Sequence, residues 1–163
     1  MKSILFSALS LFSSLCLADD IFVIKKTMNP KNELHYEALV KDCKLIKPTI
    51  KPYWVMGEED GHHEDITKME QPFFHPRITY ISDTETDFSF GAMDKMGSRL
   101  PDKNIRVRLE DCKPKAYIEI KGQELQLLEI NVKMGLLMSV KSMSVIGVAP
   151  NGTRVTHSYS NDR

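Results

Sequence analysis

The sequence predicts an all-β protein with one short helix, folded as an antiparallel β-barrel or strongly bent β-sandwich of about nine or ten strands. Three observations predict it. Apolar and polar residues alternate with period two over much of residues 103–159. Turn residues punctuate the chain at short intervals. The alternation also slips phase twice inside long runs, as it does where a sheet coils sharply and a strand carries an extra residue.

The first 18 residues read as a leader outside the fold. Lys2 is followed by an uncharged run from Ile4 to Leu17 and by Ala18 at a cleavage position, which is the pattern of a secretory signal peptide. The run is too short to cross a hydrocarbon layer, which takes about 20 residues. An alternative, acylation at Cys16, is opposed by Leu15, which stands where lipoprotein signals carry a small residue. Residues 19–163 then form one domain with no later spanning segment, and the mature protein is expected to be soluble.

Within that domain, Ile21 to Lys25 reads as a strand, Asn29 to Asn32 as a turn, and Leu34, Tyr36, Ala38 and Val40 alternate as the next strand. Tyr53 to Met56 is a short strand between Pro52 and Gly57. The helical signal spans Asp65 to Gln71, where Thr67 and Glu70 have capping-box spacing and Pro72 stops the segment. Ile78 to Ile81 and Phe88 to Phe90 are further strands. Ile105, Val107 and Leu109 form one apolar face, and Ala116, Ile118 and Ile120 another, with Gly122-Gln123 as the following turn. The next strand slips phase near Leu127-Leu128. The one after it slips between Val140 and Met143, Leu136 and Met138 sharing the parity of Val140. Pro150-Asn151-Gly152 turns the chain into a last strand carrying Val155, His157 and Tyr159.

These strand and turn patterns carry a resemblance. Ile21-Phe22-Val23-Ile24-Lys25-Lys26 with Asn29, Asn32 and Tyr36, then Pro52-Tyr53-Trp54-Val55-Met56 with Glu64-Asp65-Ile66-Thr67, then Ala116 to Gly122 with Leu125 and Leu128 to Lys133, resemble the exported bacterial proteins grouped as domain of unknown function 4833. The resemblance covers nearly all of the mature chain, and residues 73–97 match it less well. It implies a bacterial exported protein, in the periplasm, and brings no catalytic residue with it.

Composition narrows the function classes. The chain has 22 basic and 22 acidic residues, so it lacks the excess positive charge that a nucleic-acid binder needs. In an exported chain Cys43 and Cys112 can form a disulfide; the alternative is two free thiols. Five carboxylates and two histidines crowd Gly57 to Asp65, making His62 and His63 weak metal candidates, with His75 or His157 as a remote third ligand. Adjacent histidines in an extended chain point opposite ways, so a solvated acidic loop before a helix is the plainer reading. Tyr53, Trp54 and Phe73 are ligand or partner candidates, and Trp54 is weighed against an ordinary core role. Met93, Met96, Met134, Met138 and Met143 read as packing. Asn151-Gly152-Thr153 reads as a turn although it matches a glycosylation acceptor.

The chain carries no serine elbow, Cys-His signature or phosphate-binding glycine loop, so no catalytic residue and no cofactor are expected and an enzyme is disfavoured. The expected function is an exported binding protein that holds a small apolar or amphipathic ligand or docks an envelope partner. The alternative is a cavity-free interaction or inhibitor module with an apolar patch around Tyr53, Val55 and Phe73. A hydrolase rests only on the availability of suitable side chains.

Overall fold

A computed structural model describes residues 17–26, 29–57, 59–96, 99–100, 103–135 and 139–161. The expected leader and Cys16 therefore lie outside the described residues, except that Leu17 and Ala18 already pair with Val40 and Leu39. Among the described residues no helix is long and apolar enough to cross a membrane.

The chain is all-β, as its alternation predicts. Its elements are β1 (Leu17–Lys26), β2 (Asn29–Lys41), β3 (Lys44–Met56), β4 (His62–Asp65), α1 (Gln71–Phe74), β5 (Arg77–Ile81), β6 (Glu85–Ser89), α2 (Gly91–Asp94), β7 (Ile105–Glu110), β8 (Lys113–Ile120), β9 (Gln123–Met134), β10 (Val140–Val148) and β11 (Arg154–Ser160). One sheet of 11 strands contains them all, in the order β4-β3-β2-β1-β9-β8-β7-β6-β5, with β10 and β11 attached to β9. The nine-strand path curls into a half-barrel.

Both phase slips are bulges. Ile146 pairs with Glu129 and Gly147 with Leu127, which leaves Leu128 as the extra residue; Val140 pairs with Met134 and Ser142 with Lys133, which leaves Lys141. Leu136 and Met138 lie outside the described residues. The bulge at Leu128 explains why Leu125 and Leu127 are buried on one side of it and Ile130 and Val132 on the other.

Several local expectations change. Asn29 to Asn32 opens β2 instead of forming a turn, and Tyr53 to Met56 is the end of the 13-residue β3 instead of a short strand after Pro52. The pairing is not wholly antiparallel: β1 runs parallel to β9, from Val23 opposite Glu129 to Lys26 opposite Val132. Beyond Gln126, β9 has parted from β8, and β1 takes up backbone groups there. The helix forms at Gln71–Phe74 instead of Asp65 to Gln71, because Pro72 starts it. A first-turn proline gives up an N–H that has no helical partner in any case. The tight turn after β8 is Lys121-Gly122, both with positive φ (53° and 76°), one residue earlier than expected.

Side chains fill the half-barrel. The rings of Phe22 and Tyr36 stack with centroids 4.6 Å apart, and Phe88 lies 6.2 and 6.0 Å from them. Phe90 adds a ring 5.7 Å from Tyr36. The buried Tyr36 hydroxyl donates to the Phe74 carbonyl, which ties β2 to α1 and satisfies both groups. The two short helices meet at Gly91, where a Cβ would lie 1.9 Å from the Pro72 carbonyl oxygen; only glycine permits that approach. Met93, Met96 and Met143 are buried and Met134 packs against the core, while Met138 lies outside the described residues.

Three hairpin turns gather at one end. Asp42-Cys43 and Asp111-Cys112 are two-residue turns with every φ positive. Cys43 and Cys112 stand at disulfide distance across them, their Cα atoms 4.6 Å apart. The Leu45 N–H donates to the Asp83 carbonyl and the Leu109 N–H to the Thr84 carbonyl, which brings the β5–β6 turn to the same place. Asn151-Gly152-Thr153 is a turn, with the Thr153 N–H donating to the Asn151 side chain at 3.0 Å.

Candidate functional site

β3 places two neighbouring aromatic residues on opposite faces of the sheet. Trp54 pairs with Leu34 on β2 and Glu64 on β4, whereas Tyr53 pairs with His35 and Asp65. Period two therefore sends the Trp54 ring towards the core side and the Tyr53 ring outwards.

Trp54 sits in a network built from four parts of the chain. Its indole N–H donates to Glu70 Oε2 at 3.1 Å. The amide and hydroxyl of Thr67 donate to the same oxygen at 3.1 and 2.9 Å, the capping-box contact expected from their spacing. The other Glu70 oxygen accepts from Lys26 Nζ at 2.8 Å. That ammonium lies 4.1 Å from the Trp54 ring centroid and 5.1 Å from that of Phe74, so it is held by aromatic faces as well as by charge. Burial pushes the Glu70 carboxyl up, but the bonds from Lys26 and Thr67 outweigh it and hold the group below its ordinary range.

A cleft of about 280 Å³ opens beside this network, with Trp54 and Met56 as its apolar wall and Glu64, Asn32 and Thr67 around it. Lys26 and Glu70 form part of its lining. Trp54 stands out in the sequence, and the Lys26–Glu70 pair does not. Those two residues are 44 positions apart, and the only local signal was the Thr67–Glu70 cap.

On the outer face Tyr53 is buried by its neighbours. Its hydroxyl donates to Asp20 Oδ1 at 2.7 Å, and His35 Nδ1 contacts the other Asp20 oxygen at 2.7 Å. The His63 ring lies 4.6 Å from the Tyr53 ring. Burial first, and then Asp20, raise the Tyr53 hydroxyl far above its ordinary value, so it stays a proton donor. Phe73 is not brought to either face of β3; it lies on α1 with its ring 6.2 Å from Phe74 and 5.8 Å from Lys95 Nζ. Tyr53 is buried and Val55 and Phe73 are half-buried, so no exposed patch joins them. The exposed large apolar residues among those described are Met69, Ile78, Tyr80 and Ile81.

The histidines separate. His62 and His63 occupy consecutive positions of β4, pairing with Met56 and Val55. His62 gathers with Glu59 and Glu64, their donor atoms within 4.8 Å of one another. His63 takes no part in that cluster, nor do His75 and His157. The Glu59 carbonyl, then the Glu64 and Asp60 carboxylates, raise His62 to about 9. All three members of the cluster are exposed, and His62 pairs with the carboxylates of Asp60 and Glu64, so the cluster is an ion-pair knot on the surface.

No curated protein and no solved structure matches the chain. The family described as Domain of unknown function (DUF4833) matches residues 22–158. That match takes in the strands that build the half-barrel, β1 from Phe22 onwards, and all the residues around Trp54, and with nearly the whole length covered the chain belongs to the DUF4833 family.

Proposed function

We propose that the protein is an exported binding module that recognises a small amphipathic molecule, or one protruding side chain of an envelope partner, in the cleft beside Trp54. The observation that carries this reading is the contrast between inside and rim. The half-barrel is occupied by the packed rings of Phe22, Tyr36, Phe88 and Phe90, whereas the rim keeps open space of about 280 Å³. Small-molecule sites usually measure ~300–1,000 Å³ and combine an apolar wall with a few placed polar groups. Trp54 and Met56 supply the wall, and Glu64 and the Lys26–Glu70 pair supply the polar groups. Export is favoured by the leader-like first 18 residues and by the Cys43–Cys112 pair.

Trp54 is the only tryptophan, so its fluorescence reports the cleft directly. Fractions of the native envelope extract are titrated into the protein while Trp54 emission is recorded. A saturable spectral shift that Met56→Glu abolishes supports the reading. Extracts that bind the protein while leaving Trp54 emission unmoved overturn it.

The cavity-free alternative is favoured by one observation. Met69, Ile78, Tyr80 and Ile81 all fall within residues 69–81, so exposed apolar surface is concentrated in a single stretch of chain. Loss of partner recovery in Tyr80→Asp with unchanged recovery in Met56→Glu selects it.

A further inference from the structure

The sheet ends at three strands: β4, β5 and β11. An end strand presents unpaired N–H and C=O groups, and proteins blunt such edges with charges, bulges or short length. β4 is four residues long, two histidines and two acids. β5 is five residues long and bulged at Thr79, which is skipped between the pairs Ile78–Phe88 and Tyr80–Asp87. β11 has none of these devices. It runs seven residues in unbroken register with β10, and Arg154, at its first position, is its one Lys, Arg, Asp or Glu.

The hydrogen-bond phase of β11 follows from its two ends. The Ala149 N–H donates to the Thr153 carbonyl and the Asn161 N–H to the Lys141 carbonyl. In an antiparallel ladder each residue directs its N–H and C=O to one side, and the side alternates along the strand. Val155, His157 and Tyr159 thus direct their backbone groups to β10, and Arg154, Thr156, Ser158 and Ser160 direct theirs outwards. Arg99 donates to the Ser160 carbonyl at 3.0 Å and caps that end. Among the described residues, Arg154, Thr156 and Ser158 are left as a row of free rungs.

This row is self-complementary. We propose that β11 pairs antiparallel with β11 of a second copy of the chain, about a two-fold axis through Thr156, and so continues the sheet across a symmetric dimer. In that register the two Thr156 residues exchange backbone bonds, and Arg154 stands opposite Ser158 of the other copy. On the other face Val155 stands opposite His157, and the half-buried side chains of both gain cover. The two Arg154 side chains fall at opposite ends of the ladder, so no like charges oppose one another. A two-fold contact requires this property, since the same patch must fit itself.

The test is molar mass in solution by size-exclusion chromatography with light scattering on the disulfide-intact protein. The wild type elutes at twice the chain mass. Thr156→Pro removes an outward N–H that β10 does not use, and Thr156→Lys sets two charges against each other on the axis; both elute at the single-chain mass with an unchanged far-ultraviolet circular dichroism spectrum. Thr156→Val keeps the rung and remains a dimer. A wild type of single-chain mass at its highest soluble concentration overturns the proposal, as does a folded Thr156→Lys protein that stays dimeric.

Discussion

Replacing Phe88 by alanine asks whether the half-barrel is a packed core or a container. Phe88 is 0% exposed and lies beside the stacked pair of Phe22 and Tyr36, 6.2 and 6.0 Å from their rings. Truncating a buried phenylalanine removes its transfer energy and leaves a hole, which together cost about 3–5 kcal/mol. Aromatic pairs of this kind contribute roughly 0.5–1.5 kcal/mol beyond buried area. Two such pairs are lost, and Tyr36 cannot relax into the space because its hydroxyl is tied to the Phe74 carbonyl. The expected loss is therefore at the upper end, about 4–5 kcal/mol. Urea unfolding followed by circular dichroism measures it. With a slope of ~1–3 kcal/mol per molar, the midpoint falls by more than about 1 M at an unchanged slope. In a hollow barrel the ring would line open space and its removal would cost little; a loss below about 1 kcal/mol refutes the packed-core argument.

Three further outcomes follow from the same contacts. Paired Cys43→Ser and Cys112→Ser substitution frees a loop of 69 residues and lowers stability by about 4 kcal/mol in the chain-entropy account, read from the same urea curves; an unchanged midpoint contradicts it. Glu70 has a lowered folded-state value, so its contribution is complete above the ordinary carboxylate range and disappears as pH falls through the depressed value. Glu70→Gln should therefore cost about 1–3 kcal/mol at pH 7 and progressively less in acid, and a difference that does not shrink with acid removes the ion pair from the account. His62 has a raised value, so its ion pairs stabilise fully below the ordinary 6.5 and weaken as pH rises through about 9; nuclear magnetic resonance titration should place its midpoint near 9, and a midpoint near 6.5 contradicts the Glu59, Asp60 and Glu64 contacts.

The features legible in the sequence were those set by local periodicity. Alternation located the two bulges because an extra residue flips every later side chain, and Leu128 and Lys141 sit where the phases slip. It also placed Trp54 and Tyr53 on opposite faces. β4 was not legible, because His62, His63, Glu64 and Asp65 alternate nothing apolar and the strand exists only through pairing with Tyr53 to Met56. Pro72 reads as a stop in the sequence, yet its lack of an N–H suits the first turn of a helix, where the structure places it. The parallel seam of β1 and β9 and the Lys26–Glu70 pair join residues far apart in the chain. No window of sequence carries such contacts; they follow from the curl of the whole sheet.

Native mass spectrometry of the protein purified from its own cells, under conditions that preserve apolar complexes, bears most directly on the claim that the half-barrel is filled by its own side chains. No lipid-sized molecule is expected to be retained: the chain appears at its own mass, two hydrogens lighter for the Cys43–Cys112 bond, alone or as a multiple of it. A stoichiometric apolar adduct that survives until the protein unfolds would contradict it.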